Sequence, residues 1–171
     1  SRSLVESFLT TPGRVQNLWI PAARWRERPP PGRYKSGASD RGRMRFDHVG
    51  VATRDATDLA GLFDGLLDAP IAHEETFDGM DVVFLELDGG GYFELLEPAA
   101  GGAIADFLDR EGPGIHHVAL ATDDLTAALD RARDLGVDLV DEEPRAGAWG
   151  HEVAFCHPRS TGGVLVEFVE H

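Results

Sequence analysis

Apolar and polar residues follow the same order twice along residues 46–171. Each copy opens with an alternating run, "DHVGVATRD" at 47–55 and "HHVALATDD" at 116–124. Alternation with a period of two predicts a half-buried β-strand. Apolar residues then recur at spacings of three and four, which predicts an amphipathic helix. These residues are Leu59, Leu62, Phe63, Leu66 and Leu67 in the first copy, and Leu125, Ala128, Leu129, Ala132 and Leu135 in the second.

Two further pairs of apolar runs complete the repeat. "MDVVFLEL" (80–87) corresponds to "HEVAFCH" (151–157), and "GYFELLEP" (91–98) corresponds to "GVLVEFVE" (163–170). Both copies therefore predict the order β-α-β-β-β. We expect an α+β domain over 44–171, with two tandem βαβββ modules packed about a pseudo-twofold axis. Module one would span 44–98, a linker with a short helix 99–114, and module two 115–171.

Residues 1–43 share nothing with this repeat. They contain a Pro-Pro-Pro run at 29–31, scattered arginines and no sustained period. A proline run favours extended polyproline conformation. We interpret the segment as a basic tail that is disordered or a non-native extension, with Met44 as the native start. The alternative is a basic arm that binds an acidic partner.

The charge of the chain is unevenly distributed. Residues 1–45 carry a net +7 and residues 46–171 a net −21, which gives −14 overall. So acidic a domain repels nucleic acid and anionic membranes, and neither is an expected partner. The single lysine, Lys35, and the many aspartates resemble proteins of salt-loving organisms. We see no signal peptide or long apolar run and expect a cytoplasmic protein; the single cysteine, Cys156, is expected to be a buried thiol.

Superposing the two copies places two histidines and two glutamates at equivalent positions. His48 falls on His117, and Glu94 falls on Glu167, so each copy supplies a histidine on its first strand and a glutamate on its last. His116 falls on Asp47 and is expected on the opposite face of its strand. The remaining histidines have no equivalent in the other copy and are interpreted as ordinary; these are His73, His151, His157 and His171.

Two imidazoles and two carboxylates favour a metal site. A carboxylate among the apolar residues of a strand is costly to bury unless it is paired, protonated or bound to a metal. One divalent cation would neutralise Glu94 and Glu167 and use the nitrogens of His48 and His117. Two nitrogens and two oxygens suit a six-coordinate ion, and Co²⁺, Mn²⁺, Ni²⁺ and Zn²⁺ all remain open. The alternative is that these side chains lie at strand edges and face water.

The chain resembles the vicinal-oxygen-chelate superfamily and, within it, the methylmalonyl-CoA epimerase family. The most specific segments are "DEEPRAGAWG" (141–150) and "HPRSTGGVLVEFVE" (157–170). The resemblance implies His48, Glu94, His117 and Glu167 as metal ligands, Co²⁺ as the first choice of metal, and a homodimer. It also implies inversion of the α-carbon of methylmalonyl-CoA through a metal-stabilised enolate.

Inversion needs two acid/base groups, one for each face of the α-carbon. Glu167 is expected to be one of them. The resemblance implies a glutamate on the hairpin of module one as the other, but this sequence has Val82 there. Asp81, Glu86 and a metal-bound water remain as alternatives.

Substrate contacts are expected in the loops of module two. Arg145, Arg159 and Ser160 lie in glycine-containing loops and offer donors to the anionic groups of a CoA thioester. Three other functions remain open on the same fold. One is a glyoxalase-like isomerase of a thiol hemithioacetal, the second a metal-free binding module, and the third an oxygenase with two histidines and one carboxylate.

Overall fold

The computed structural model describes residues 44–171, and the expectations for residues 1–43 lie outside this range. The described chain forms eight strands and three helices in the predicted order. Module one contains β1 (Arg45–Ala52), α1 (Ala56–Leu67), β2 (Ile71–Phe77), β3 (Met80–Glu86) and β4 (Tyr92–Pro98). Helix α2 (Gly102–Glu111) lies in the linker. Module two contains β5 (Gly114–Ala121), α3 (Leu125–Asp134), β6 (Arg145–Ala146), β7 (Glu152–Cys156) and β8 (Val166–Glu170), with a short 3₁₀ turn at Ala148–Gly150.

All eight strands belong to one curled sheet with the order β2-β3-β4-β1-β5-β8-β7-β6. Strands β1 and β5 pair antiparallel at its centre, and β4 and β8 flank them in parallel. Each half of this order is the other half reversed, which is what a pseudo-twofold axis between β1 and β5 requires. The α+β class and the paired βαβββ modules are therefore confirmed. Strand β8 starts at Val166 and is shorter than the apolar run at 163–170 suggested.

The first helix of each module begins at the same kind of cap. Asp55 accepts a hydrogen bond from the Asp58 amide at 2.8 Å, and Asp124 accepts one from the Ala127 amide at 2.8 Å. An aspartate in this position satisfies a backbone donor that the helix itself leaves unpaired. The neighbouring aspartate, Asp123, does not cap α3 and pairs with Arg45 instead.

The sheet buries a different set of side chains on each face. Alternate residues of β3 and β4 face α1, and Val83, Leu85 and Leu95 form that part of the core. The residues between them face the concave side with α2, where Val82 and Leu96 are buried. Among the described residues, no helix has the length and apolar composition needed to cross a membrane.

Helix α1 packs on the sheet partly through alanines, and some of its leucines do not face the sheet. Ala56 and Ala60 are almost completely buried, so the stripe that faces the sheet passes through these small residues. Leu62 and Leu66, which the sequence pattern placed with the apolar stripe, lie beside it and are exposed. Cys156 is buried as predicted, and burial raises the pKa of its thiol.

Candidate metal centre

The register of the central strands brings the four predicted residues to one point on the concave face. Gly50 of β1 lies between Glu94 on β4 and His117 on β5. Across the pseudo-twofold axis, Ala119 of β5 lies between Glu167 on β8 and His48 on β1. Each small residue thus has a glutamate from its own module on one side and a histidine from the other module on the other. The site consequently belongs equally to both modules.

The four side chains converge through their terminal atoms. The Nε2 atoms of His48 and His117 are 3.1 Å apart. Glu94 Oε2 lies 3.4 Å from His48 Nε2 and 3.2 Å from His117 Nε2. Glu167 Oε2 lies 3.2 Å and 3.0 Å from the same two nitrogens. All four side chains are buried, with between 4% and 6% of each residue exposed.

These donors fit a divalent cation. His48, Glu94 and His117 each offer a ligand atom, and these atoms lie within 4.8 Å of one another. Glu167 Oε2 is buried next to both imidazole nitrogens, yet it forms no hydrogen bond with any described residue. A buried carboxylate oxygen without a hydrogen bond is costly. A cation placed among the four groups would satisfy this oxygen, and imidazole with carboxylate is a donor set used by Co²⁺, Mn²⁺, Ni²⁺ and Zn²⁺.

The four side chains also shift one another's pKa values. Burial by itself lowers the pKa of His48, but the nearby carboxylates of Asp47, Glu167 and Glu94 outweigh it and raise that pKa to about 11. The pKa of His117 is raised for the same reason, by Glu167 and Glu94. Burial by itself raises the pKa of Glu94, but the two histidines lower it to about 2. Protons therefore compete with a cation for the imidazoles, while the carboxylates stay ionised.

The prediction that His116 lies on the opposite face of its strand is wrong. In the β1–β5 ladder, Gly50 pairs with His117 and the next pair is Val51 with Ile115, so His116 has no partner. Such a β-bulge turns the extra residue out of the regular alternation. His116 Nδ1 lies 3.0 Å from His117 Nδ1, on the same side of the sheet.

A cavity of about 310 Å³ opens above these residues. Glu94, His116, His117 and Glu167 line it, and so does Arg145 from module two. Its wall also includes Val82, which is buried at the position where the family resemblance implies a glutamate. The remaining described residues of the wall are mostly apolar or glycine and include the start of α2 at Gly101, Gly102 and Ala103.

The other predicted site residues lie elsewhere. Asp81 accepts a hydrogen bond from Thr76 and lines a separate cavity. Glu86 ends β3, is exposed and is absent from the cavity wall. Arg159 pairs with Asp138 at 2.7 Å, and the Ser160 hydroxyl accepts from the Asp138 amide at 2.9 Å, so both secure their own loop and neither lines the cavity.

Two contributors to the site were not singled out from the sequence. Gly50 leaves room for the His117 ring, because a Cβ atom there would lie 2.1 Å from that ring. Asp47 Oδ1 lies 2.7 Å from His48 Nδ1, and its Oδ2 lies 2.6 Å from Nε2 of His171, a histidine for which no role was predicted. The equivalence of Asp47 with His116 in the repeat was a signal that both residues neighbour a site histidine.

Comparison with known proteins agrees with this geometry. Residues 47–155 match the model of the Glyoxalase/Bleomycin resistance protein/Dioxygenase superfamily. The chain belongs to this superfamily. It is 36% identical to the uncharacterized protein YqjC of Bacillus subtilis over 74% of this chain and 91% of that protein. It is 35% identical to an ethylmalonyl-CoA/methylmalonyl-CoA epimerase of Cereibacter sphaeroides over 72% of this chain and 95% of the relative.

A solved structure shows the same relationship. Methylmalonyl-CoA epimerase in complex with methylmalonyl-CoA and NH4+ superposes with a TM-score of 0.70 at 33% identity. The match covers 74% of this chain and 94% of that chain. The resemblance to methylmalonyl-CoA epimerases within the superfamily is thus confirmed.

Proposed function

We propose that this protein is a metal-dependent epimerase that interconverts the (2R) and (2S) forms of methylmalonyl-CoA. The convergence of His48, Glu94, His117 and Glu167 at the base of one cavity carries the proposal. Support comes from the relatives named as methylmalonyl-CoA epimerases, one of them in complex with methylmalonyl-CoA. The four residues would hold one divalent cation, with Co²⁺ as the first choice.

The proposed chemistry divides between the cation and the chain. When bound, the cation supplies a Lewis acid that stabilises negative charge developing on the substrate. Glu167 is the acid/base group we assign to one face of the α-carbon, because it lines the cavity and its carboxylate has a second oxygen besides the Oε2 that would face the cation. The other face needs a second proton carrier.

The cavity wall narrows the choice for that second carrier. Val82 has no proton to exchange, and Asp81 and Glu86 lie outside the wall. Apart from Glu167, His117 and Arg145, the ionisable side chains of the described wall are Asp78, Glu94 and His116. A water bound in the cavity remains the alternative to these three.

Arg145 is the residue we assign to an anionic group of the substrate. Its guanidinium lies 5.3 Å from the centre of the Phe155 ring, and its Nε donates to Asp141 at 3.0 Å. These contacts hold the side chain at the cavity wall while half of it stays exposed. The start of α2 lines the same cavity with no side-chain cap, so its free amides add donors for negative charge.

Hydrogen exchange at the α-carbon tests the proposed function. (2S)-Methylmalonyl-CoA is incubated with the protein in D₂O, with and without added Co²⁺, and deuterium incorporation and the (2R) form are followed. We expect cobalt-dependent exchange and epimerisation, both lost in His117→Ala and retained in Asp81→Asn, which changes a carboxylate outside the cavity.

The same assay separates the alternatives. If the protein exchanges no α-hydrogen with any metal but turns over a methylglyoxal–thiol hemithioacetal, its function is that of the glyoxalase-like isomerase. Absence of both activities and of metal binding would indicate a metal-free binding module.

A further inference from the structure

Each metal-site histidine follows a β-bulge. In the β1–β5 ladder, Phe46 pairs with Leu120 and the next pair is His48 with Ala119, so Asp47 has no partner. His116 is skipped in the same way, immediately before His117. The two extra residues are equivalent in the repeat and lie on either side of the pseudo-twofold axis. A bulge re-aims the side chain of its extra residue, and the two bulges act on corresponding positions.

Both re-aimed side chains reach the same atom of the following histidine. Asp47 Oδ1 lies 2.7 Å from His48 Nδ1, and His116 Nδ1 lies 3.0 Å from His117 Nδ1. The opposite nitrogens of the two rings, the Nε2 atoms, are 3.1 Å apart and face Glu94 and Glu167. Each imidazole is therefore held between a partner at Nδ1 and the centre of the site at Nε2.

These contacts determine which nitrogen of each imidazole ring carries the proton. An imidazole that binds a cation through Nε2 carries its proton on Nδ1, and an acceptor at Nδ1 fixes that tautomer and the ring orientation. Asp47 is such an acceptor, and its other oxygen is occupied by His171 Nε2 at 2.6 Å. A neutral His116 accepts through the Nδ1 lone pair if its own proton is on Nε2.

We propose that Asp47 and His116 are equivalent positioning residues, which keep the protons of His48 and His117 on Nδ1 and so direct both Nε2 lone pairs at one cation. This inference rests on the proposed metal centre. Because the bulge occurs in both modules, each module has a partner group beside Nδ1 of its histidine. This group is a carboxylate in module one and an imidazole in module two.

Metal affinity of matched variants tests the proposal. Dissociation constants for Zn²⁺ and Co²⁺ are measured by competition with a chromophoric chelator. We expect Asp47→Ala and His116→Ala each to weaken binding by about 10- to 100-fold, as loss of such a partner typically does. Asp47→Asn and His116→Asn keep an acceptor oxygen near Nδ1 and should recover much of the affinity. Asp81→Ala, which removes a carboxylate from the other side of β3, should bind as the unmodified protein does.

Nuclear magnetic resonance of the unmodified protein gives a readout that does not depend on the variants folding. In ¹⁵N-histidine-labelled, Zn²⁺-loaded protein, we expect His48 and His117 both to carry their proton on Nδ1. A proton on Nε2 of either ring overturns the proposal.

The outcomes also separate this inference from the proposed function. If the unmodified protein binds no divalent metal, the metal centre and the positioning roles both fail. If it binds metal but Asp47→Ala or His116→Ala binds as tightly as Asp81→Ala, the equivalent positioning roles are overturned and the epimerase proposal stands.

Discussion

At the scale of single residues, the two halves of the site differ at the small residue between each glutamate and histidine. Gly50 and Ala119 occupy equivalent places in the register, each between a glutamate and a histidine. Ala119 carries its methyl group beside His48 and is completely buried. At Gly50 the corresponding space is filled by the His117 ring. The ring position of His117 thus depends on the absence of a side chain at residue 50.

Gly50→Ala should therefore weaken metal binding at the proposed metal centre. A Cβ atom at residue 50 would lie 2.1 Å from the His117 ring, so this buried ring would have to shift. We expect metal affinity to fall by about tenfold or more, as for loss of a ligand's supporting contacts. Gly61→Ala is the control, because nothing lies within 4 Å of a Cβ atom at that helical position. It should leave affinity unchanged, and equal affinity in both variants would contradict this role of Gly50.

Metal binding should strengthen as the pH rises. The pKa of His48 is raised to about 11 and that of His117 is also raised, so the imidazoles hold protons that a cation must displace. The pKa of Glu94 is lowered to about 2, so its carboxylate requires no deprotonation near neutral pH. We expect the association constant for Zn²⁺ to rise about tenfold per pH unit for each proton released between about pH 6 and pH 8. A pH-independent constant, measured by calorimetry in several buffers, would contradict the protonated imidazoles.

The internal repeat indicated the four residues that converge in the structure, but the predicted face of the neighbouring His116 was wrong. His48, Glu94, His117 and Glu167 were identified because duplication repeats a strand position, and packing about an axis brings equivalent positions together. The face of His116 was wrong because strict alternation holds only in a regular ladder. A bulge is a property of two paired strands, and neither strand shows it alone.

At the scale of elements, the last strand of each module serves both the site and the adjacent helix. Glu94 and Glu97 on β4 face opposite sides of the sheet, as do Glu167 and Glu170 on β8. Glu97 Oε2 accepts from the Ala56 amide at 2.7 Å, and Glu170 Oε2 accepts from the Leu125 amide at 2.7 Å. The outer glutamate of each pair thus caps the first turn of the helix in its own module.

Removing either outer glutamate should destabilise the fold by a similar amount. Glu97→Ala and Glu170→Ala each leave a half-buried helix amide without its acceptor, which we expect to cost about 1 kcal/mol. Guanidinium unfolding measures the loss, and Glu143→Ala, an exposed loop residue, is the control. Loss in only one of the two glutamate variants would contradict the equivalence of the modules.

Some element boundaries are set by contacts within one turn, and others are set by pairing with another element. The starts of α1 and α3 have a local cause, because Asp55 and Asp124 each accept a hydrogen bond from an amide within their own turn. Strand β6 is only two residues long, at Arg145–Ala146, and no apolar run in the sequence predicts it. It forms because Arg145 pairs with Val153 of the next strand, β7, and the sequence pattern of 145–146 alone does not show that pairing.

At the scale of the whole molecule, charge is the dominant feature. Residues 46–171 carry a net −21, and self-repulsion of that size opposes the compact state. Paired cations such as Arg159 with Asp138 offset only a small part of it, because exposed ion pairs contribute little. The homodimer implied by the family resemblance stays a prediction.

Salt should therefore stabilise the protein. Raising KCl from about 10 mM to molar concentration shortens the screening length from about 30 Å to about 3 Å. We expect Tm to rise steadily across this range in a calorimetric scan. A Tm that stays constant or falls would contradict the salt-adapted interpretation of the composition.

The central claim is that two residues from each module hold one cation. The most direct measurement is anomalous diffraction at the cobalt edge from crystals grown with Co²⁺. We expect one strong peak per chain within about 2.0–2.3 Å of the Nε2 atoms of His48 and His117 and of one carboxylate oxygen each from Glu94 and Glu167. A peak bound by residues of one module only, or no peak among the four side chains, would contradict it.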